Sequence, residues 1–118
     1  MQGADLNGSD LSDANMSNAM MHSAVLYATK LHGSLLDGAD LSGASLKDAD
    51  LSGATLRGAD LTNADLSGAT LRGADLSRAD FTNAIISQKQ LDQACGTDAK
   101  LNPGLKLNKA CPPDMHKS

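Results

Sequence analysis

From Leu6 to Ile86 every fifth position holds a large apolar residue, and two positions ahead of each stands a small one, Ala, Ser or Thr; seventeen such centres follow one another without an insertion. Wound as an α-helix, five residues advance about 140° beyond a full turn, which scatters the centres around the cylinder. Drawn out as one strand, the same centres alternate between opposite faces. Neither element buries them together. A chain that makes a short straight segment and then a corner every five residues does, so the pattern predicts an all-β solenoid.

Runs such as Gly38-Ala39-Asp40-Leu41-Ser42, Gly58-Ala59-Asp60-Leu61-Thr62 and Gly73-Ala74-Asp75-Leu76-Ser77 match the motif A-(D/N)-L-x-x. Over about three quarters of its length the chain resembles the pentapeptide-repeat family. That resemblance implies a right-handed quadrilateral β-helix with four pentapeptides per coil. On a twenty-residue coil, Leu6, Leu26, Leu46, Leu66 and Ile86 stack on a first face, and Leu11, Leu31, Leu51 and Leu71 on a second. Met16, Leu36, Leu56 and Leu76 form the third, and Met21, Leu41, Leu61 and Phe81 the fourth. At about 4.8 Å between coils the stack is roughly 20 Å tall before its ends are closed. Its interior is filled by these ladders and by small residues such as Ala39, Ala44, Ala49 and Ala54, with no cavity for a substrate.

The motif stops after Ser87. Ser87 is placed to N-cap a short helix, Gln88 to Cys95, with Leu91, Ala94 and Cys95 on one stripe and Gly96 as its stop. Such a helix serves as a lid, because the last coil of a solenoid otherwise exposes strand edges and core. Asn102-Pro103-Gly104 then turns the chain, and Leu105 and Leu107 are placed to pack back onto the end coil. The expected organisation is a repeat domain over 1–87 (about four coils), a cap helix and packed segment over 88–111, and a disordered tail over 112–118. The chain begins inside a repeat, at Gln2-Gly3-Ala4-Asp5-Leu6, which leaves two alternatives: omitted upstream sequence, or an uncapped first coil through which two copies associate end to end.

Composition narrows the core further, since Tyr27 and Phe81 are the only aromatics. All fourteen acidic residues are Asp, a residue whose short side chain bonds the nearby backbone at corners. Up to Gln88, eleven Asp face five Lys and Arg, a balance of −6, and the remainder carries +2, for the net −4 of the chain. An acidic surface disfavours direct binding of nucleic acid or anionic membrane, and no apolar run is long enough to span a bilayer. No signal peptide begins the sequence.

Chemistry-bearing residues are few. Cys95 and Cys111 are the only cysteines, and their separation of sixteen residues allows either a disulfide or two reduced thiols. A disulfide suits a periplasmic or otherwise exported location, and reduced thiols a cytoplasmic one. No His pair accompanies them, so no metal site is expected. His22 and His32 fall on opposite faces, and His116 lies in the tail. No Gly-x-Ser-x-Gly elbow is present and no His is placed to activate a hydroxyl, so neither catalysis nor a cofactor is expected.

Two surface features depart from a plain solvated pattern. Asp40, Asp60 and Asp80 stand at the outward position before the centre in three successive coils of the fourth face, an acidic ladder. Some gyrase-protecting members of the family it resembles use such acidic surface to occupy a topoisomerase's DNA site, whereas the plain reading is motif preference. Around residues 20–35, Met20, Val25 and Leu35 replace polar residues before the centre, and Tyr27 and His22 follow it. This apolar and aromatic region is a candidate contact surface. The reading favoured by the sequence is a non-enzymatic protein-binding or scaffolding module with a protein partner, with the acidic DNA mimic as the alternative.

Overall fold

The corners come first, because they decide everything else. In each one the carbonyl of a centre accepts a hydrogen bond from the amide three residues on, as in Ala39 N to Leu36 O and Ala44 N to Leu41 O, both 3.0 Å. The residue before that donor has positive φ, 68° at Gly38 and 66° at Gly43, the signature of a type II turn. Asn, Asp and Ser fill the same position elsewhere, and Ala28 and Arg78 do so at φ 56° and 59°, where a Cβ is disfavoured. Straight segments between corners are so short that each contributes one bridging residue.

The structure, a computed structural model, describes residues 2–112. Its bridges are all parallel and all join residues twenty apart, in four ladders. One runs Asp5, Val25, Ser45, Asp65, Ile85, and the next Asp10, Lys30, Asp50, Thr70. The third runs Asn15, Leu35, Thr55, Asp75, Cys95, and the fourth Met20, Asp40, Asp60, Asp80, Lys100. Four sides per turn make the coil square. Side chains one residue after each bridge point inward: Leu26, Leu31, Leu36, Leu41, Leu46, Leu51, Leu56, Leu61, Leu66, Leu71, Leu76 and Phe81 are at most 1% exposed. Alanines two residues before most centres line the same interior, and Leu6, Leu11 and Ile86 are partly buried at its ends.

Pairing does not stop where the motif stops. A five-residue helix, α1 (Gln88–Asp92), takes the place of one pentapeptide, and beyond it Cys95 bridges to Asp75 and Lys100 to Asp80. Leu91 falls on the five-residue phase and is fully buried, and Leu101, on the same phase, packs against the core. The register expected to end at Ser87 therefore resumes once the helix has taken up five residues. The helix is shorter than the expected Gln88 to Cys95: it ends at Asp92, with Gln93 as C-cap. Cys95 is bound into its ladder by Cys95 N to Ala74 O, 2.9 Å, and Leu76 N to Cys95 O, 2.8 Å, so it leaves the helical path.

At its start, α1 follows the expected chemistry, with Ser87 and Gln90 forming a capping box. Gln90 does more. Its Nε2 donates to Leu66 O at 2.7 Å and Ala69 O at 3.0 Å, satisfying carbonyls next to the ladder that the helix interrupts. Gln88 binds the return segment, its amide donating to Lys106 O at 2.8 Å and accepting from Lys106 N at 3.0 Å. Leu105 and Leu107 pack partly buried against the core. Gly96, expected as the helix stop, instead lies buried against the coil beneath: a Cβ there would sit 2.7 Å from Ser77 N. Of the expected tail, Pro112 is exposed, and residues 113–118, with His116, lie outside the described residues.

Candidate functional site

The acidic residues of the coil have partners of their own. Asp40 Oδ1 accepts from the amide and hydroxyl of Ser42 at 3.0 and 2.6 Å, Asp60 Oδ1 from Thr62 at 3.0 and 2.7 Å, and Asp80 Oδ1 from Thr82 at 3.0 and 2.6 Å. These Asx turns brace the corners. The Ser42 hydroxyl and amide hold the Asp40 carboxyl below its ordinary value of 3.8, and Thr82 does the same for Asp80. Asp40, Asp60 and Asp80 do stack in one continuous ladder. One oxygen of each is committed to its own turn.

The apolar region divides between faces. Met20, 68% exposed, lies on the fourth ladder, and Val25, half-buried, on the first, beside exposed Tyr27. These form one edge with His22, whose Nδ1 is 3.0 Å from Ser42 Oγ. Leu35, 41% exposed, belongs to the third ladder, opposite Val25, and is not part of that edge. Ile85, 57% exposed, stands on the first ladder, in the side that α1 leaves. It lines an open cleft of about 550 Å³ together with Ser67, Thr70, Lys89 and Gln90. Ile85 stands at the same outward position before a centre as Met20, Val25 and Leu35, a signal present in the sequence that the search around residues 20–35 did not extend to.

The third face carries the densest chemistry. Arg57 donates to Asp37 Oδ2 through Nη2 at 2.7 Å and through Nε at 3.1 Å, and its Nε lies 4.0 Å from Asp75 Oδ2. Partial burial works against ionisation of Asp37, but the hydrogen bonds from Arg57 prevail and its carboxyl is held below 3.8. The same bonds raise Arg57 above its ordinary value. Asp75, 2% exposed, is the one buried carboxylate among the described residues. Ser77 braces it, donating to Oδ1 through its amide at 3.0 Å and its hydroxyl at 2.7 Å. Directly above in the ladder is Cys95, joined to Cys111 as a disulfide with Cα atoms 4.9 Å apart. A second open cleft, about 400 Å³, borders the pair and is lined by Gly73, Gln93, Ala94, Lys109 and Pro112. No spacing rule links Asp75 to the cysteines except the twenty-residue coil, continued across the helix.

A family model described as Pentapeptide repeats, in eight copies, matches residues 1–38, 24–63, 34–73 and 59–95. The chain belongs to the pentapeptide repeat family. Among solved structures, it is similar to a pentapeptide repeat protein from the thylakoid lumen of Arabidopsis thaliana: 31% identity, a TM-score of 0.74, and coverage of 86% of this chain and 71% of that one. It is also similar to HetL, a pentapeptide repeat protein involved in heterocyst differentiation regulation from the cyanobacterium Nostoc sp. strain PCC 7120, at 32% identity and a TM-score of 0.56. That match covers 95% of this chain and 51% of HetL, so the chain spans about half of HetL's length. A search of curated proteins finds no match. Among the described residues, no helix is long and apolar enough to cross a membrane.

Proposed function

We propose that this chain is a non-enzymatic protein-binding module: a right-handed β-helix, closed at one end by α1 and the 93–111 segment, that presents side chains on flat outer faces to a protein partner. The observation that carries this reading is the filled interior, in which every centre from Met21 to Phe81 is at most 1% exposed. With the core committed to stacking, whatever the molecule recognises meets it from outside. The edge formed by Met20, His22, Val25 and Tyr27 is the contact surface we favour, because an outward tyrosine flanked by apolar neighbours buries much area at low rotamer cost. Replacing Val25 and Tyr27 together by Ser should leave the circular dichroism spectrum unchanged and abolish partner capture or self-association measured by sedimentation. Unchanged association in that variant would remove this surface from consideration.

The continuous Asp40, Asp60, Asp80 ladder supports a second reading, an acidic DNA mimic that acts on a type II topoisomerase. Gyrase supercoiling assays with wild-type protein and with all three changed to Asn separate the two. An effect lost in the Asn variant supports the mimic, and no effect of the wild-type protein eliminates it. With the disulfide formed, an exported compartment suits the protein.

A further inference from the structure

We propose that, once the Cys95–Cys111 disulfide is reduced, the two cysteine sulfurs and the Asp75 carboxylate together bind a thiophilic divalent cation of the Zn²⁺ class. One ligand atom from each of the three residues lies within 4.8 Å of the other two. A tetrahedral zinc site with bonds of about 2.3 Å to sulfur and 2.0–2.2 Å to oxygen needs its ligand atoms roughly 3.4–3.8 Å apart. The carboxylate therefore closes by no more than about 1 Å, and the sulfurs separate by about 1.7 Å from bonding distance. Cys111 can make that movement, because it is only half-buried and is followed by exposed Pro112. Cys95 and Asp75 need not move far. The first is fixed by its ladder hydrogen bonds and the second by Ser77, which orients its carboxylate as an outer-shell partner does at a metal centre.

Charge and burial favour the same assignment. Two thiolates and a carboxylate sum to −3, a divalent cation leaves −1, and the Arg57 guanidinium 4.0 Å from Asp75 offsets part of the remainder. A thiolate pair with one carboxylate selects zinc-like ions over the hard cations that prefer all-oxygen sites. Three protein ligands leave a fourth position for water or an incoming group, reached from the cleft lined by Gly73, Gln93 and Lys109. In the sequence, the absence of a His pair argued against a metal site, and the coil supplies the missing third ligand from twenty residues away.

A dithiol reductant transfers two electrons and two protons to the disulfide, leaves as its own cyclic disulfide, and yields two cysteine thiols. The cation then displaces both thiol protons, so two protons are released for each ion bound. Disulfide and metal site are mutually exclusive, which makes the region a redox-selected choice between a covalent and a coordinate cross-link.

The test reduces the full chain with a tertiary phosphine, which takes its oxygen from one water and leaves no competing thiol. Zn²⁺ is then titrated against a chromophoric chelator, and Cd²⁺ is used to read thiolate-to-metal charge transfer. The expected result is one ion per chain, two protons released, a charge-transfer band and a higher melting temperature with zinc. Asp75→Asn should bind at least about tenfold more weakly and Cys111→Ser about a hundredfold more weakly. Ser77→Ala, which keeps all three ligands and loosens the carboxylate, should weaken binding several-fold and serves if Asp75→Asn does not fold. Equal binding by oxidised protein, undiminished affinity in both Asp75→Asn and Ser77→Ala, or equal affinity in the urea-unfolded reduced chain would each overturn the proposal.

Discussion

Thr29 and Ser34 occupy equivalent places, two residues before a centre, where most coils have alanine, and both are fully buried. Their hydroxyls differ. Thr29 Oγ1 donates to Leu6 O at 2.8 Å, whereas Ser34 Oγ has no hydrogen-bond partner. A buried hydroxyl without a partner costs about 1–3 kcal/mol. Ser34→Ala removes that cost and leaves a void of roughly 10 Å³, worth about 0.3 kcal/mol. The net stabilisation is about 1 kcal/mol or more, a rise of about 4 °C in melting temperature. Thr29→Ala has the opposite sign. It forfeits a hydrogen bond worth about 0.5–1.5 kcal/mol and a buried methyl worth about 0.8 kcal/mol, for a loss of about 2 kcal/mol. Thermal and urea unfolding followed by circular dichroism read both variants against wild type. A Ser34→Ala protein that melts below wild type, or two variants that shift in the same direction, refutes the reasoning that hydrogen-bond accounting governs this column.

Leu56 lies midway in the ladder of Leu36 and Leu76, so Leu56→Asp buries an unpartnered charge and should unfold the domain, while Ser52→Lys, one residue after a centre and only half-buried, should melt within about 1 °C of wild type. Gly96→Ala places a Cβ 2.7 Å from Ser77 N at a φ of 144° and should lower the melting temperature by several degrees, whereas Gly104→Ala, with open space around it, should carry only the strain of its φ of 88° and cost less. Asp10, Asp37, Asp40, Asp50, Asp65 and Asp80 all titrate below the ordinary 3.8 in the folded state, so their contribution is present above that value and is lost as pH falls through the lower folded values. Melting temperature should hold steady down to about pH 5 and then fall below about pH 4, less steeply in a Ser42→Ala, Ser67→Ala, Thr82→Ala variant.

The interior was legible because one regularity, a large apolar residue every fifth position, leaves a coil with corners as the one simple way to gather those residues. The faces of Leu26, Leu31, Leu36 and Leu41 follow from counting by five. The same counting, taken further, places Val25 and Leu35 on opposite sides, since ten residues make half a turn. Continuation beyond Ser87 was hidden because the Ala-Asp-Leu wording disappears there. Leu91 and Leu101 with Ala94 and Ala99 still keep the phase, and a reading by spacing alone would have caught them. Burial of Asp75 was not legible, because it depends on chain far along the sequence: the disulfide places Cys111 beside a face that is otherwise open. The shift of Gly96 from helix stop to close-packed residue has the same origin, a return segment whose Lys109 carbonyl accepts from Gly96 N at 2.7 Å.

That α1 takes up five residues, no more and no fewer, gives this architecture an arithmetic for tolerated change in length. Inserting or deleting five residues leaves every core position occupied, yet turns everything downstream by a quarter revolution, so Cys95 would land beside a neighbour of Asp75 instead of above it. Twenty residues restore every face. One or two residues throw apolar centres outward and corners into strands. Length variation that conserves only solubility should therefore come in steps of five, and variation that conserves a recognition surface in steps of twenty. A relative's spacing across this region reports which of the two has been under selection.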